Sequence, residues 1–171
     1  VVFPFLGVMP LGEVTASYAN PIIYLFLGAF ILALAVERWN LHKRIALVIL
    51  SYTGTDGRYL IGGFMLVAAF LSMWMTNTST TMMLMPIALS VAKVIADNSP
   101  DLAPEQTKDF QSAMLLGLAF AATIGGLSTL VGTPPNALLA AFLNENYDIQ
   151  ITFASWMLVG VPVMLIMLPL A

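Results

Sequence analysis

Long runs of apolar residues, separated by short polar segments that hold nearly all of the charges, constrain this sequence more than any other feature. The main runs are Pro21 to Val36, Tyr59 to Met75, Met82 to Ala96, Phe110 to Val131 and Thr152 to Ala171. Inside a bilayer, backbone polar groups are satisfied only within a helix or a closed barrel, and about 20 apolar residues in a helix span the hydrocarbon. The sequence therefore predicts an all-α polytopic membrane protein.

The composition argues against a soluble domain of the same length. Hydrophobic residues make up 60% of the 171 residues and charged residues 9%, whereas soluble domains average roughly 45–50% apolar and about 25% charged residues. No basic patch is interleaved with aromatic residues, so nucleic-acid binding has no support. Cysteine is absent, and the single histidine, His42, lies beside Lys43 and Arg44 with no second histidine to share a metal.

The basic residues indicate how the spans are oriented. All of them fall in regions 37–58 and 93–108, and the positive-inside rule places both regions in the cytoplasm. The first span then runs from outside to inside, 110–143 runs from inside to outside, and 152–171 returns. Residues 37–50 alternate charged with apolar side chains, which suits either a helix lying in the membrane interface or, in the first half, a charged loop.

A polar segment, Thr76 to Thr81, interrupts the apolar residues between two cytoplasmic ends at 59 and 96. Residues 59–96 form either two full spans joined by an outer loop or a re-entrant hairpin with a buried tip. The segment lacks the Gly, Pro and Asp of ordinary turns, which favours the buried tip. At such a tip the first helix ends with free carbonyls, which suit a cation, and the second begins with free N–H groups, which suit an anion. The hydroxyl of Ser72 lies one helical turn before Thr76, and the Asn77 amide can serve either ion.

A second interruption occurs at Gly132-Thr133-Pro134-Pro135-Asn136. The two prolines have no N–H and cannot continue a helix, and Gly132 allows the backbone to leave helical geometry. The motif therefore predicts a broken helix. The Gly132 carbonyl would be free for a cation, and the helix restarting near Asn136 would present N–H groups. The alternative is a proline kink needed only for packing. Two broken elements in one short membrane segment are typical of secondary transporters.

Charged and catalytic side chains are missing from the middle of every predicted span. A proton relay therefore has no carrier, and no paired-carboxylate, Ser-His-Asp or Cys-His set is available for catalysis. We predict that the chain is not an enzyme. Neutral oxygen ligands without a carboxylate suit a monovalent alkali ion better than a divalent one.

These motifs resemble the divalent anion/sodium symporter (DASS) family, which includes sodium-coupled dicarboxylate and citrate carriers. The resemblance rests on Ser72 with Thr76-Asn77-Thr78, on Ile124-Gly125-Gly126 and on the segment from Gly132 to Asn136, and it covers nearly the whole chain. The usual hairpin motif of the family is Ser-Asn-Thr, and Thr76 here replaces the serine while keeping a hydroxyl.

The resemblance implies a set of site residues. Ser72, Thr76, Asn77 and Gly132 would surround a sodium ion, which is the coupling ion. Asn77 and Thr78 would hold a carboxylate of a small anionic substrate, with Thr133 and Pro134 nearby. The family carries the hairpin and the broken helix twice, in inverted repeats, whereas one copy is present here. We therefore expect one inverted-repeat half that does not transport without the missing second half.

The implied organisation has five parts. They are a scaffold span with a cytoplasmic interfacial helix (1–58), a re-entrant hairpin (59–96), a cytoplasmic loop (97–109), a broken transmembrane helix with an outer turn (110–151) and a closing span (152–171). Members of the family work as homodimers in the plasma (inner) membrane, by an elevator movement. The alternatives are an inorganic-oxyanion symporter such as a sulfate carrier, and a channel-like or structural membrane subunit in which both interruptions are only kinks.

Overall fold

The computed structural model describes residues 2, 4–19, 21–41, 43–45, 47–48, 57–98 and 104–171. His42, residues 53–56 of the turn before the hairpin, and residues 99–103 of the predicted cytoplasmic loop lie outside the described residues. Every regular element in the described part is helical, which confirms the all-α expectation. The helices are α1 (Leu11–Tyr18), α2 (Pro21–Arg38), α3 (Gly57–Ser72), α4 (Asn77–Asn98), α5 (Pro104–Leu127), α6 (Pro134–Tyr147) and α7 (Phe153–Met167), which continues as a short 3₁₀ helix (Leu168–Leu170).

Three helical stretches are long and apolar enough to cross a membrane: Asn77–Ile95 in α4, Glu105–Leu127 in α5 and Phe153–Leu170 at the end of the chain. Helix α3 is also apolar but shorter. The described residues from Leu41 to Val48 have helical backbone geometry. Their position in the membrane interface stays a prediction.

The buried core lies where α3 packs along α5, with α4 against both helices. Each helix buries one face at the spacing of successive helical turns, as expected for helix packing. On α4 the buried face contains Thr80, Leu84, Ala88 and Ala92. The completely buried apolar side chains include Phe64, Val67, Ala68, Leu84, Ala88, Leu118, Ala121 and Ala122.

Helices α2 and α7 expose large apolar side chains. Leu32 and Leu34 of α2 are 63% and 64% exposed, and Leu158 and Val159 of α7 are 77% and 68% exposed. Water does not favour contiguous apolar surface of this kind. These faces therefore suit contact with lipid or with further protein.

Small residues allow α3 and α5 to approach closely. A Cβ atom added at Gly125 of α5 would overlap the backbone of Ala69 in α3. Small residues at such crossings let helix backbones meet inside membranes. Gly62 of α3 differs, because a Cβ there has no heavy atom within 4 Å among the described residues.

We expect Gly125→Ala to lower the free energy of unfolding by about 1–3 kcal/mol, because the added methyl forces the two backbones apart. Gly62→Ala serves as the matched control. It should leave stability unchanged or raise it by up to about 1 kcal/mol, because alanine is the better helix former. Thermal unfolding of the protein purified in detergent measures both. Equal Tm values for the two variants would contradict the close helix crossing.

Candidate functional site

The first break in helical structure lies between α3 and α4. Helix α3 ends at Ser72, and tight turns follow in which the Met73 N–H donates to the Ala69 carbonyl (3.3 Å) and the Met75 N–H donates to the Leu71 carbonyl (3.1 Å). Among the described residues, no hydrogen bond reaches the Ser72 carbonyl oxygen. This carbonyl is therefore available to a cation.

Thr76 is the N-cap residue of α4, which begins at Asn77. Its Oγ1 accepts a hydrogen bond from the Ser79 N–H (3.2 Å) and donates to the Ser79 hydroxyl (2.9 Å), while its carbonyl accepts from the Thr80 N–H (3.0 Å). An N-cap threonine satisfies one of the N–H groups that a first helical turn leaves without a carbonyl. The N–H groups of Asn77 and Thr78 are also in this first turn. No carbonyl of α4 lies one turn before them to accept a hydrogen bond.

A side-chain hydrogen bond joins the two sides of this break. The Ser72 hydroxyl donates to Asn77 Oδ1 at 2.8 Å. Ser72 is fully buried and Asn77 is half-buried. A hydroxyl that donates its proton keeps its lone pairs, and an amide oxygen has two. Both oxygens therefore retain lone pairs for a cation.

The second break lies between α5 and α6. Helix α5 ends at Leu127, and α6 begins at Pro134 with Thr133 as its N-cap. The Thr133 side chain makes no cap hydrogen bond, and the Asn136 N–H donates to the Thr133 carbonyl (3.2 Å). The expectation that this helix start presents N–H groups to an anion is therefore wrong. Two of the first three residues are prolines, and the third N–H is already bonded.

Thr129 and Asn136 fix the chain within the second break. The Thr129 hydroxyl donates to the Met73 carbonyl (2.6 Å) and accepts from the Gly132 N–H (3.0 Å). The Asn136 amide group donates to the carbonyls of Gly126 (3.0 Å) and Thr129 (2.7 Å). Thr129 is completely buried and Asn136 is 5% exposed. The turn is therefore held by buried hydrogen bonds, one of which reaches the first break.

Glycines bring the two breaks into direct contact. A Cβ atom at Gly132 would overlap the Gly126 carbonyl and lie 2.8 Å from the Ser72 carbonyl oxygen. A Cβ atom at Gly126 would overlap Asn77 Oδ1 and lie 2.9 Å from the Thr133 methyl carbon. Only a residue without a side chain fits at either position. The Ser72 carbonyl, the Asn77 amide oxygen and the backbone at Gly132 therefore meet in one small region.

Helix α7 holds the second break from another side. The Trp156 Nε1–H donates to the Leu127 carbonyl (3.0 Å), which lies at the end of α5. A Cβ atom at Gly160 would lie 2.6 Å from the Ser128 carbonyl oxygen, so α7 packs directly on the turn. The rings of Phe153 and Trp74 have centroids 6.2 Å apart, which joins the start of α7 to the first break.

The structure brings together most of the residues that the sequence singled out. Ser72, Asn77, Gly132 and Thr133 surround the contact between the breaks. The Thr76 hydroxyl is used to cap α4. The exposed residues Thr78 and Pro134 lie in the first turns of α4 and α6. No contact places these two residues against the others within the described chain.

Sequence reasoning missed the residues that hold the breaks. The sequence pattern marks Asn136 only as the point where a helix restarts, and it does not identify Thr129 or Trp156. The available signal was the pair Ser128-Thr129, which is polar within an apolar run. Their hydrogen-bond partners are set by the fold and cannot be read from local pattern.

The arrangement can bind a cation and an anion side by side. Carbonyl, hydroxyl and amide oxygens without a formal charge are the ligands that alkali ions accept. The start of α4 adds backbone N–H groups and the positive end of a helix dipole, which favour an anion. The site is thus polar and uncharged within apolar surroundings.

Comparison with known proteins identifies similar sequences along the whole chain. The family model described as citrate transporter matches residues 1–171. The sodium-dependent dicarboxylate transporter SdcS of Staphylococcus saprophyticus is 43% identical over 169 residues, which cover 98% of this chain and 33% of that protein. The transporter of the same name from two Staphylococcus aureus strains is 39% identical over 169 residues, which cover 98% of this chain and 32% of each protein. The chain therefore spans about a third of the length of the curated relatives it matches.

We expect Asn136→Asp to destabilise the protein, because a carboxylate cannot donate to the Gly126 and Thr129 carbonyls. A buried carbonyl left without a donor costs about 1–3 kcal/mol, and two are affected. Thermal unfolding with and without sodium measures the loss.

Asn146→Asp is the matched control on the same helix. The Asn146 amide also donates to a carbonyl, that of Phe142 (2.9 Å), but this pair is exposed. Its loss should change stability by no more than about 0.5 kcal/mol. If both variants unfold at the same temperature, Asn136 does not hold the second break.

Proposed function

The chain belongs to the citrate transporter family, and on that premise we propose that it forms part of a secondary active transporter that couples sodium entry to uptake of a small di- or tricarboxylate. It belongs to a membrane protein, because the family consists of transporters and three of its helices are apolar and long enough to cross a bilayer. The family and the names of the relatives point to a transporter and not to an enzyme.

The observation that carries the proposal is the contact between the two breaks. The Ser72 carbonyl and Asn77 Oδ1 lie against Gly132 and Gly126, where a side chain would not fit. A kink needed only for packing would not require neutral oxygens to converge from two segments. Membrane transporters place ion and substrate sites at such interruptions, where helix ends face each other.

Sodium is the proposed coupling ion. Ser72 contributes its carbonyl and hydroxyl oxygens, Asn77 its amide oxygen and Gly132 its carbonyl oxygen. Thr76 contributes less through its hydroxyl than the resemblance implies, because that group already donates to one atom of Ser79 and accepts from another. The names of the relatives, which are called sodium-dependent transporters, agree with this ion.

The substrate binds next to the sodium ion in this proposal. The N–H groups of Asn77 and Thr78 at the start of α4 receive one carboxylate, and the Thr78 hydroxyl adds a donor. The second break lies on the other side of the proposed substrate. It contributes the ring of Pro134 and the side chain of Thr133, which makes no cap hydrogen bond. Because α6 offers no free N–H at its start, α4 supplies most of the attraction for the anion.

The same breaks support a proposal for the arrangement in the membrane. We propose that α3 and α4 form a re-entrant hairpin, that α5 and α6 form a broken transmembrane helix, and that a second inverted copy completes the site in the whole multi-pass transporter. The whole protein would act as a homodimer in the plasma membrane by an elevator movement. The length of the relatives, about three times that of the chain, leaves room for the second copy.

We expect Ser72→Ala to raise the sodium concentration for half-maximal uptake at least tenfold, because the ion loses a hydroxyl ligand and Asn77 loses its donor. Uptake of labelled succinate into proteoliposomes containing the full-length transporter measures this. The matched control is Ser90→Ala, at an exposed position on α4, which should behave as wild type. Wild-type uptake that persists when choline or potassium replaces sodium would remove sodium from the proposal.

Thr78→Ala tests the substrate side. It should raise the half-saturating succinate concentration roughly tenfold while changing the half-saturating sodium concentration less, because the proposal assigns Thr78 to the anion and not to the ion. Thr123→Ala is the control, since the exposed Thr123 hydroxyl only bonds its own helix at the Ala119 carbonyl (3.0 Å).

Competition separates the substrate classes. Unlabelled dicarboxylate or citrate should block succinate uptake, whereas sulfate should not. Transport of sulfate alone would instead assign an inorganic oxyanion to this site.

A full-length protein that conducts ions down their gradient without coupling them to any anion would support the channel-like alternative.

A further inference from the structure

We infer that Thr129 is a positioning residue that sets the sodium affinity of the site by holding the two breaks at a fixed separation. The inference rests on the proposed sodium site and goes beyond it, because Thr129 is not one of the proposed ligands. The observation that carries it is the buried Thr129 hydroxyl, which bonds the carbonyl of Met73, 56 residues away in the chain, and also the N–H of Gly132.

Both hydrogen-bonding functions of the Thr129 hydroxyl are used. It donates to the Met73 carbonyl at 2.6 Å and accepts from the Gly132 N–H at 3.0 Å. Met73 directly follows Ser72, and Gly132 is the proposed ligand on the other break. One side chain therefore fixes the backbone next to two proposed sodium ligands.

The bridge also determines how far apart the breaks lie. A direct hydrogen bond from the Gly132 N–H to the Met73 carbonyl would bring those two atoms to about 2.9 Å. The inserted hydroxyl joins them through two successive bonds instead. The spacing between the Ser72 and Gly132 carbonyls is therefore set by a side chain, and a change in that side chain changes the size of the space that an ion meets.

The second break is stiff enough to transmit this effect. Asn136 ties the Thr129 carbonyl and the Gly126 carbonyl to the start of α6, so the turn is braced internally. Thr129 is completely buried, which keeps water from replacing its bonds. Among the described residues, the hydrogen bond from Thr129 to Met73 joins the braced turn to the hairpin.

The test uses three variants of the full-length transporter in proteoliposomes. Thr129→Val keeps the shape of the side chain and removes both hydrogen bonds, whereas Thr129→Ser keeps the hydroxyl. Thr80→Val is the matched control, since Thr80 is also completely buried but its hydroxyl has no hydrogen-bond partner among the described residues. The readouts are the half-saturating sodium concentration, the ratio of lithium-driven to sodium-driven uptake, and Tm without sodium.

We expect Thr129→Val to raise the half-saturating sodium concentration at least tenfold and to change the lithium-to-sodium ratio at least threefold. Thr129→Ser and Thr80→Val should stay within threefold of wild type in both. A purely structural role would lower Tm and the amount of active protein without moving the ion ratio. If Thr129→Val does not fold, Thr129→Cys, which keeps the volume with a weaker donor, should show the same changes in smaller degree.

Three results overturn the inference, and they are distinguishable. Wild-type uptake without sodium dependence removes the proposed function and the role of Thr129 together. A sodium-dependent wild type, with Thr129→Val or Thr129→Cys showing unchanged sodium affinity and ion ratio, removes only the role of Thr129. An equal loss in Thr129→Ser would also overturn it, because the hydroxyl would then not be the group that matters.

Discussion

Close backbone contact between the two breaks determines where every proposed ligand lies. The chain at Gly132 touches the Gly126 and Ser72 carbonyls, and Gly126 in turn touches the Asn77 amide. Each contact requires the absence of a side chain. Inside a tightly packed protein a single methyl group is enough to displace neighbours. The position of the oxygens is therefore fixed by shape before any ion or substrate is considered.

Interrupted helices leave backbone groups that must find partners away from water. At the second break the partners are side chains: Asn136 serves two carbonyls, Thr129 serves a carbonyl and an N–H, and Trp156 serves the last residue of α5. A buried group without a partner costs about 1–3 kcal/mol, and a whole protein is stable by only about 5–15 kcal/mol. The few groups left without a donor, such as the Ser72 carbonyl, therefore stand out as places for a ligand.

The sequence located both breaks but not the contacts that hold them. A run of hydroxyl and amide residues at Thr76 to Thr81 and the paired prolines at Pro134 depart from helical pattern locally, so they can be recognised without a structure. The bond from Thr129 to Met73 joins residues far apart in the chain, and a threonine in an apolar helix often bonds its own backbone instead, as Thr123 does. The sequence predicts free N–H groups at the start of α6, and this prediction is wrong. Among the first three residues of α6, Asn136 is the one with an N–H, and that N–H donates to the Thr133 carbonyl.

The absence of formal charge on the proposed ligands bears on how transport is coupled. Of the basic residues on the three core helices, Arg58 lies at the opposite end of α3 from the breaks, Lys93 toward the far end of α4 and Lys108 at the start of α5. At about 1.5 Å per residue, Arg58 is roughly 20 Å along its helix from Ser72. The electrostatic interaction energy between a sodium ion and a carboxylate about 4 Å away is about 4 kcal/mol, in favour of binding, at an effective dielectric constant of about 20. Coupling between two ligands commonly amounts to about 1–3 kcal/mol and is reciprocal. In the proposed transporter the ion thus adds a full positive charge that these helices do not place beside the substrate, so binding of either ligand strengthens binding of the other.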